Sequence, residues 1–232
     1  GLRAAPRCGR LVSRASFLRS AGFSGLYAGF FNRPDGTLRM MKSLADMIAV
    51  APDAFDRDAA ARFAEEAGTE FSALPEAARD LLCGVAGCSP YLRRLALKRK
   101  DDLPALFETP PEETLARVVK QAQNASEAEI HDDQIKALRL AKQEAALLIA
   151  LSDIGGAWGV LQTTRALSEF ADAAIEGALA AALGRSPLES TEGLVILAMG
   201  KHGAFELNYS SDVDLVVLFD PERMGFDERH IV

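Results

Sequence analysis

The feature that most constrains the fold is a change in the spacing of apolar residues near residue 192. Before it, apolar side chains recur every three or four residues, as on one face of a helix, most clearly over 133–154. After it come two apolar runs, 194–199 and 213–219, and only Asp214 interrupts the second. Runs of this length suit strands buried on both faces. The pattern therefore predicts an α+β protein, a long helical part followed by the start of a sheet.

On this pattern the chain divides into an unassigned start at 1–37, a helical region at 38–190 and a strand-rich region at 191–232. The first 45 residues contain eight arginines and lysines against one acid, Asp35. Such a start fits a fragment boundary or a basic helix, and it also has the composition of an organelle transit peptide.

Start and stop residues bound the helices of the second region. Pro52 follows the first helix, Ser89 and Pro90 suit the cap and first position of another, and Gly184 suits a left-handed position after the last. The predicted helices lie at about 38–50, 56–67, 75–83, 89–97, 109–124, 133–154 and 164–183.

Composition excludes several classes of function. The chain has 232 residues, 49% of them hydrophobic, which suffices for a packed core. Its net charge of −7 argues against nucleic-acid binding, and no apolar run approaches the ~20 residues that span a membrane. The three cysteines, Cys8, Cys83 and Cys88, lack histidines at metal-ligand spacing. They predict reduced thiols and a cytoplasmic location.

Two acids enter the second apolar run. Asp212 and Asp214 are two residues apart, so in a strand their carboxylates project to the same side. Ionised carboxylates on an apolar strand are costly unless a cation pairs with them. Mg²⁺ prefers one or two carboxylates together with phosphate oxygens, and it stabilises charge on a transferring group. We therefore predict a catalytic metal site at Asp212 and Asp214; the alternative is a strand end whose acids face water.

A glycine turn precedes these acids. Gly200 follows the first apolar run, where a missing side chain lets the backbone approach a ligand. Lys201, Ser210 and Ser211 add polar groups, and with Gly200 they are the predicted nucleotide- and phosphate-binding residues. His202 is expected either to approach the ligand or to be an exposed turn residue. The segment fits neither the P-loop nor the dinucleotide-binding pattern.

The arrangement of strand, glycine, polar connection and D-x-D strand resembles the polymerase-β-type nucleotidyltransferases. Eleven residues separate Gly200 from Asp212. The full string GKHGAFELNYSSDVDL closely resembles the signature of the glutamine synthetase adenylyltransferase family, G-K-x-G followed by E-L-x-[YF]-S-S-D-x-D-L. The segments 88–92 and 144–170 also resemble that family, and Asn208 resembles its amino-terminal copy of the domain. The resemblance covers roughly residues 38–222.

The resemblance implies a polymerase-β-type core that adds AMP to, or removes it from, a tyrosine of glutamine synthetase. It implies Mg²⁺ as cofactor, ATP, ADP or inorganic phosphate as substrate, and a PII-type signal protein as regulatory partner. The amino-terminal copy would remove AMP with phosphate and release ADP. By carry-over, Asp212 and Asp214 hold the metal, and Gly200 and Ser211 lie against the phosphates.

One part of the superfamily pattern is missing. The superfamily uses a third carboxylate on a later strand. Asp220 cannot replace it, because Asp220 lies six residues after Asp214 and therefore ~20 Å further along the strand. The chain alone is therefore expected to be weak or inactive. Two alternatives stay open: a polymerase-β-type transferase with another acceptor, and a non-catalytic helical docking module.

Overall fold

The computed structural model describes residues 42–184 and 192–224, so the basic start at 1–37 lies outside the described residues. Within them the chain forms nine α-helices, two short 3₁₀ helices and one two-stranded sheet. The helices are α1 Leu44–Met47, α2 Arg57–Ser72, α3 Glu76–Cys88, α4 Pro90–Lys98, α5 Leu103–Glu108, α6 Pro111–Gln123, α7 His131–Ile154, α8 Val160–Leu183 and α9 Gly200–Gly203. The 3₁₀ helices are Lys100–Asp102 and Asn124–Glu127, and the strands are β1 Leu194–Ala198 and β2 Leu215–Phe219. The α+β class is confirmed.

Side-chain caps explain where several helices begin. The Oγ atom of Ser89 accepts a hydrogen bond from the amide of Leu92 at 3.2 Å, and Pro90 occupies the first turn of α4. Both features were predicted. Asp56 caps α2 in the same way, accepting from the amide of Ala59 at 2.8 Å. Each contact satisfies an amide that the first helical turn leaves without a partner.

One apolar core joins the helices. Helices α6, α7 and α8 pack against one another, α2 packs on α3, and a single cluster of buried side chains runs through both groups. Phe63, Phe107 and Leu148 are fully buried within it. Trp158 is also buried there, and its indole Nε1 donates to Glu112 at 3.0 Å. Burial of each large apolar side chain stabilises the fold by roughly 1.5–3 kcal/mol.

The structure corrects three helix predictions. Within the described residues the first helix covers Leu44–Met47 and ends earlier than predicted. The following backbone is extended, and the amides of Ala49 and Val50 donate to the carbonyl of Gly155. The short helix α5 was not predicted. Gly184 has φ −60°, so it continues the helical conformation and is not the left-handed residue expected there.

The sheet is antiparallel, with Leu194 opposite Phe219 and Ala198 opposite Leu215. Strand β1 buries Leu194 and Ile196, whereas the five residues of β2 are 38–56% exposed. The expectation that the second run is buried on both faces is therefore wrong for the described residues. Strand β2 also begins at Leu215, so Asp212 and Asp214 lie just before it.

The described helices include none that is long and apolar enough to cross a membrane.

A buried glycine allows α8 to approach α6 closely. A Cβ atom added to Gly177 would lie 2.0 Å from the carbonyl oxygen of Ala122. We expect Gly177→Ala to lower the free energy of unfolding by about 1–3 kcal/mol, because the backbone has to move apart. Urea denaturation followed by Trp158 fluorescence measures this.

Gly184→Ala is the matched control at the end of the same helix. Its added Cβ would meet nothing closer than 3.4 Å, and its φ is helical, so stability should change by no more than a few tenths of a kcal/mol. Equal effects of the two substitutions would contradict the packing argument.

Candidate active site

The end of β1 and the approach to β2 lie side by side. The amide of Met199 donates to the carbonyl oxygen of Asp214 at 2.9 Å, which adds one hydrogen bond to the sheet. Gly200 follows with φ +54°, a left-handed conformation that favours glycine. A Cβ atom built on Gly200 would lie 3.9 Å from Oδ2 of Asp214. The structure thus brings the Gly200 turn close to the carboxylate of Asp214.

Both predicted metal ligands are exposed. Among the described residues, no hydrogen bond or ion pair engages the side chain of Asp212 or Asp214. In the part of the chain that the structure describes, no group of three or more histidines, cysteines or acids is placed to hold a metal. The predicted donor set stays the two carboxylates of Asp212 and Asp214, a set that suits Mg²⁺ when phosphate oxygens complete its shell.

The two serines have a partner that the sequence analysis did not anticipate. The Oγ atoms of Ser210 and Ser211 donate to Oδ1 of Asn208 at 3.2 and 2.8 Å, and the amide of Ser210 donates to the same oxygen at 3.1 Å. This is a local Asx-type turn. Asn208 therefore sets the course of the backbone into Asp212.

Lys201 lies in the single turn of α9 and is exposed. Its carbonyl oxygen accepts from the amide of Glu206 at 2.7 Å. Between them, Phe205 has φ +60°, a left-handed conformation that is uncommon for residues other than glycine. The connection from α9 to the acidic residues is therefore a tight, well-defined turn.

His202 is buried, so both expectations for it were wrong. It is 2% exposed, and its Nε2 atom lies 2.8 Å from Oδ1 of Asp172 on α8. Its side chain thus links α9 to α8. The residue approaches neither a ligand from the loop nor the solvent.

Helix α8 holds the signature segment, defined here as residues 199–215, at two further points. The amide of Leu207 donates to Oγ of Ser168 at 3.4 Å, and the guanidinium of Arg165 lies 5.9 Å from the ring centre of Phe205. Arg165, Ser168 and Asp172 are spaced by three and four residues, so they share one face of α8.

Helix α7 supplies a further attachment. The hydroxyl of Tyr209 donates to Oδ2 of Asp153 at 2.9 Å, and Oγ1 of Thr163 donates to the other carboxylate oxygen at 3.2 Å. Sequence reasoning missed Asp153, Ser168 and Asp172. Ser168 and Asp172 are buried polar residues of α8. Polar residues at helical spacing along this face were the sequence signal that could have found them, because buried polar groups need partners.

A cavity of about 430 Å³ lies elsewhere, between α5, α6 and α7. Its lining includes Arg99 and Arg117, and both guanidiniums pair with the buried carboxylate of Glu144. The lining includes none of the predicted site residues. The predicted site is instead an open surface at the end of the sheet.

Comparison with known proteins identifies the family. The sequence model of glutamate-ammonia ligase adenylyltransferase (GlnE) matches residues 80–230. The chain belongs to this family. The GlnE match contains the whole signature segment and the helices α7 and α8 that hold it.

Curated relatives agree with this assignment. Each of three relatives is named bifunctional glutamine synthetase adenylyltransferase/adenylyl-removing enzyme. The relative from Caulobacter vibrioides is 36% identical over 85% of this chain and 22% of its own length. The relative from Xanthobacter autotrophicus is 42% identical over 66% of this chain and 17% of its own length. The relative from Bradyrhizobium sp. (strain BTAi1) is 43% identical over 62% and 16%. The chain thus spans about a fifth of the length of these relatives. No solved structure matches it.

The Tyr209 hydroxyl reports on the contact between the GlnE signature segment and α7. Desolvation, followed by the hydrogen bond to Asp153 and the charge of that carboxylate, raises the pKa of Tyr209 well above its ordinary value of about 10. The folded state therefore holds this proton more tightly than the unfolded state. The stabilisation is complete below pH ~10 and is lost as the pH rises further towards the folded-state pKa.

We expect the free energy of unfolding to fall between pH 9 and pH 11, and less steeply in Tyr209→Phe than in the wild type. Since Tyr209 is 57% exposed, the difference should be about 1 kcal/mol or less. Urea denaturation at both pH values measures it. Tyr91→Phe on α4 is the control, and lysines contribute equally to all three proteins. Identical pH slopes in the wild type and Tyr209→Phe would contradict the contact.

Proposed function

We propose that this chain forms part of a Mg²⁺-dependent nucleotidyltransferase that acts on a tyrosine of glutamine synthetase. Within that enzyme it belongs to the half that removes AMP, using inorganic phosphate and releasing ADP. The family assignment supports the adenylyl chemistry, and the resemblance of Asn208 and its surroundings to the amino-terminal copy supports the direction.

The observation that carries the proposal is the contact between Gly200 and Asp214. A carboxylate without a partner among the described residues stands next to a backbone turn that has no side chain. A phosphate group can approach that turn closely because no Cβ atom is in the way. A metal ion held by that carboxylate would supply positive charge to the same phosphate.

Asp212 and Asp214 would hold the metal. When bound, Mg²⁺ neutralises negative charge on the phosphate oxygens around the transferring group. The chain's own residues orient that group: Gly200 leaves room for it, and Lys201 places a positive charge on the same exposed turn. Ser210 and Ser211, held by Asn208, fix the backbone that enters Asp212.

Substrates and partners follow from the same proposal. The names of the relatives give glutamine synthetase as the protein on which they act. For this chain we propose glutamine synthetase as the protein substrate, ATP, ADP or inorganic phosphate as the small substrate, and a PII-type protein as regulator. Nucleic acid and membrane are not among its partners, and its location is cytoplasmic.

A non-catalytic docking module is the main rival. Such a module needs no exposed pair of carboxylates beside a glycine turn, and it needs no turn held at several points by two helices. The geometry therefore favours the enzyme.

The test uses the longest natural form of the protein that contains these residues. We expect Asp214→Asn and Asp212→Asn each to lower phosphate-dependent ADP release from adenylylated glutamine synthetase by about 10²-fold or more, because charge at the transferring group loses its counter-ion. Chelation of Mg²⁺ should abolish the activity of the wild type.

Glu222→Gln is the matched control, since it removes one exposed carboxylate beyond the other end of β2. Its activity should stay within twofold of the wild type. Retention of more than a tenth of wild-type activity in Asp214→Asn would refute the proposed metal site. Binding of glutamine synthetase without any release of AMP would favour the docking module.

The 232-residue chain alone is expected to release AMP at a rate at least 10²-fold below that of the longest natural form. Its described residues offer only two metal-binding carboxylates at the site, and β2 is exposed along its length. The same ADP-release assay compares the two proteins. Equal rates would overturn this expectation.

A further inference from the structure

Burial of the Asp172 carboxylate costs free energy. Asp172 lies on α8 and is 8% exposed, although carboxylates are rarely buried without a partner. Its Oδ1 atom contacts Nε2 of His202 at 2.8 Å, and the side chain of His202 is fully buried. The pair joins α8 to α9 across thirty residues of sequence.

Helix α9 has only four residues, Gly200–Gly203, which is far too short to be stable by itself. The two-stranded sheet beside it is also marginal alone. The position of α9 therefore depends on its contacts with the helical region, and His202 is its buried anchor. Since Gly200 begins α9 and abuts Asp214, the anchor also sets the distance between the glycine turn and that carboxylate.

A second aspartate holds the other side of the signature segment. Asp153 on α7 accepts hydrogen bonds from Tyr209 and from Thr163 at the start of α8. Tyr209 lies three residues before Asp212. The neighbouring Asn208 accepts hydrogen bonds from Ser210 and Ser211. The two anchors thus hold the segment at His202 in α9 and at Tyr209, just before the acidic pair.

We propose that Asp172 and Asp153 are positioning residues of the nucleotidyl-transfer site, acting through His202 and Tyr209 respectively. Together they hold Gly200 and Asp214 in register so that both face one metal and phosphate group. This inference rests on the proposed function for the identity of that group. It adds Asp153 on α7 and Asp172 on α8, which lie outside the signature segment. Their substitution is expected to disturb the site although neither residue contacts the substrate.

A merely structural role makes a different prediction. If the two aspartates only stabilise the fold, their substitution lowers stability, and the molecules that remain folded keep full metal affinity and turnover. A positioning role lowers metal affinity and kcat in protein that is still fully folded. Unfolding and site geometry therefore have to be measured separately.

The experiment compares Asp172→Asn, Asp153→Asn and Asp172→Glu in the longest natural form of the protein. Glu176→Gln is the matched control: it lies one turn further along α8, and its carboxylate accepts from Gln123 at 2.7 Å, away from the segment. Mn²⁺ affinity is measured by electron paramagnetic resonance, and kcat and KM are measured for adenylylated glutamine synthetase. Stability is measured by thermal unfolding followed by circular dichroism.

We expect both asparagine variants to weaken Mn²⁺ binding and to lower kcat by about tenfold or more at temperatures where they are fully folded. Their KM for glutamine synthetase should stay within twofold of the wild type. Asp172→Glu should recover part of the loss, and Glu176→Gln should lose nothing. Asp172→Asn combined with His202→Gln should be no worse than the poorer single variant, because the pair acts as one unit.

Lower stability with unchanged Mn²⁺ affinity and kcat would overturn the inference. If the wild type binds Mn²⁺ at Asp212 and Asp214 but does not release AMP from glutamine synthetase, the proposed function fails. The inference is then decided by the Mn²⁺ affinities of the variants alone. Absence of Mn²⁺ binding by the wild type would overturn both.

Discussion

The buried contact between Asp172 and His202 determines whether the candidate site exists as a defined shape. A sheet of two strands and a helix of one turn cannot hold a geometry by themselves. They acquire it from α8, through a carboxylate and an imidazole removed from water. Loss of either partner removes this hydrogen bond from a buried group, which costs more than loss of an exposed one. The site therefore depends on the helical region as much as on its own signature residues.

Local signals made the helical region largely predictable from sequence. The cap at Ser89, the proline at position 90 and the long apolar period of α7 are properties of a few neighbouring residues. The failures came where distant residues decide. The first helix ends early, where Ala49 bonds to Gly155, more than a hundred residues away, and no pattern around Ala49 encodes that contact. Gly184 was misjudged because a glycine that can be left-handed can also stay helical.

The candidate site divides in the same way. The pattern of apolar run, glycine and D-x-D pair predicted one site extending from Gly200 to Asp214, and the structure brings these two residues close together. The two acids nevertheless precede β2, so strand alternation does not set their directions. The burial of His202 was not predictable, since its neighbours are small and polar and its partner lies on α8. The serines were expected at the phosphates, and the structure shows them bonded to Asn208. The roles of all six predicted site residues stay predictions.

The separation between the signature and its supports has an evolutionary consequence. Residues such as Asp153 and Asp172 lie outside the signature segment, so a chain can lose them while every letter of the signature is retained. A motif search would still count such a paralogue as an active enzyme. Inactivating substitutions can therefore accumulate in α7 and α8 before any residue of the acidic pair changes.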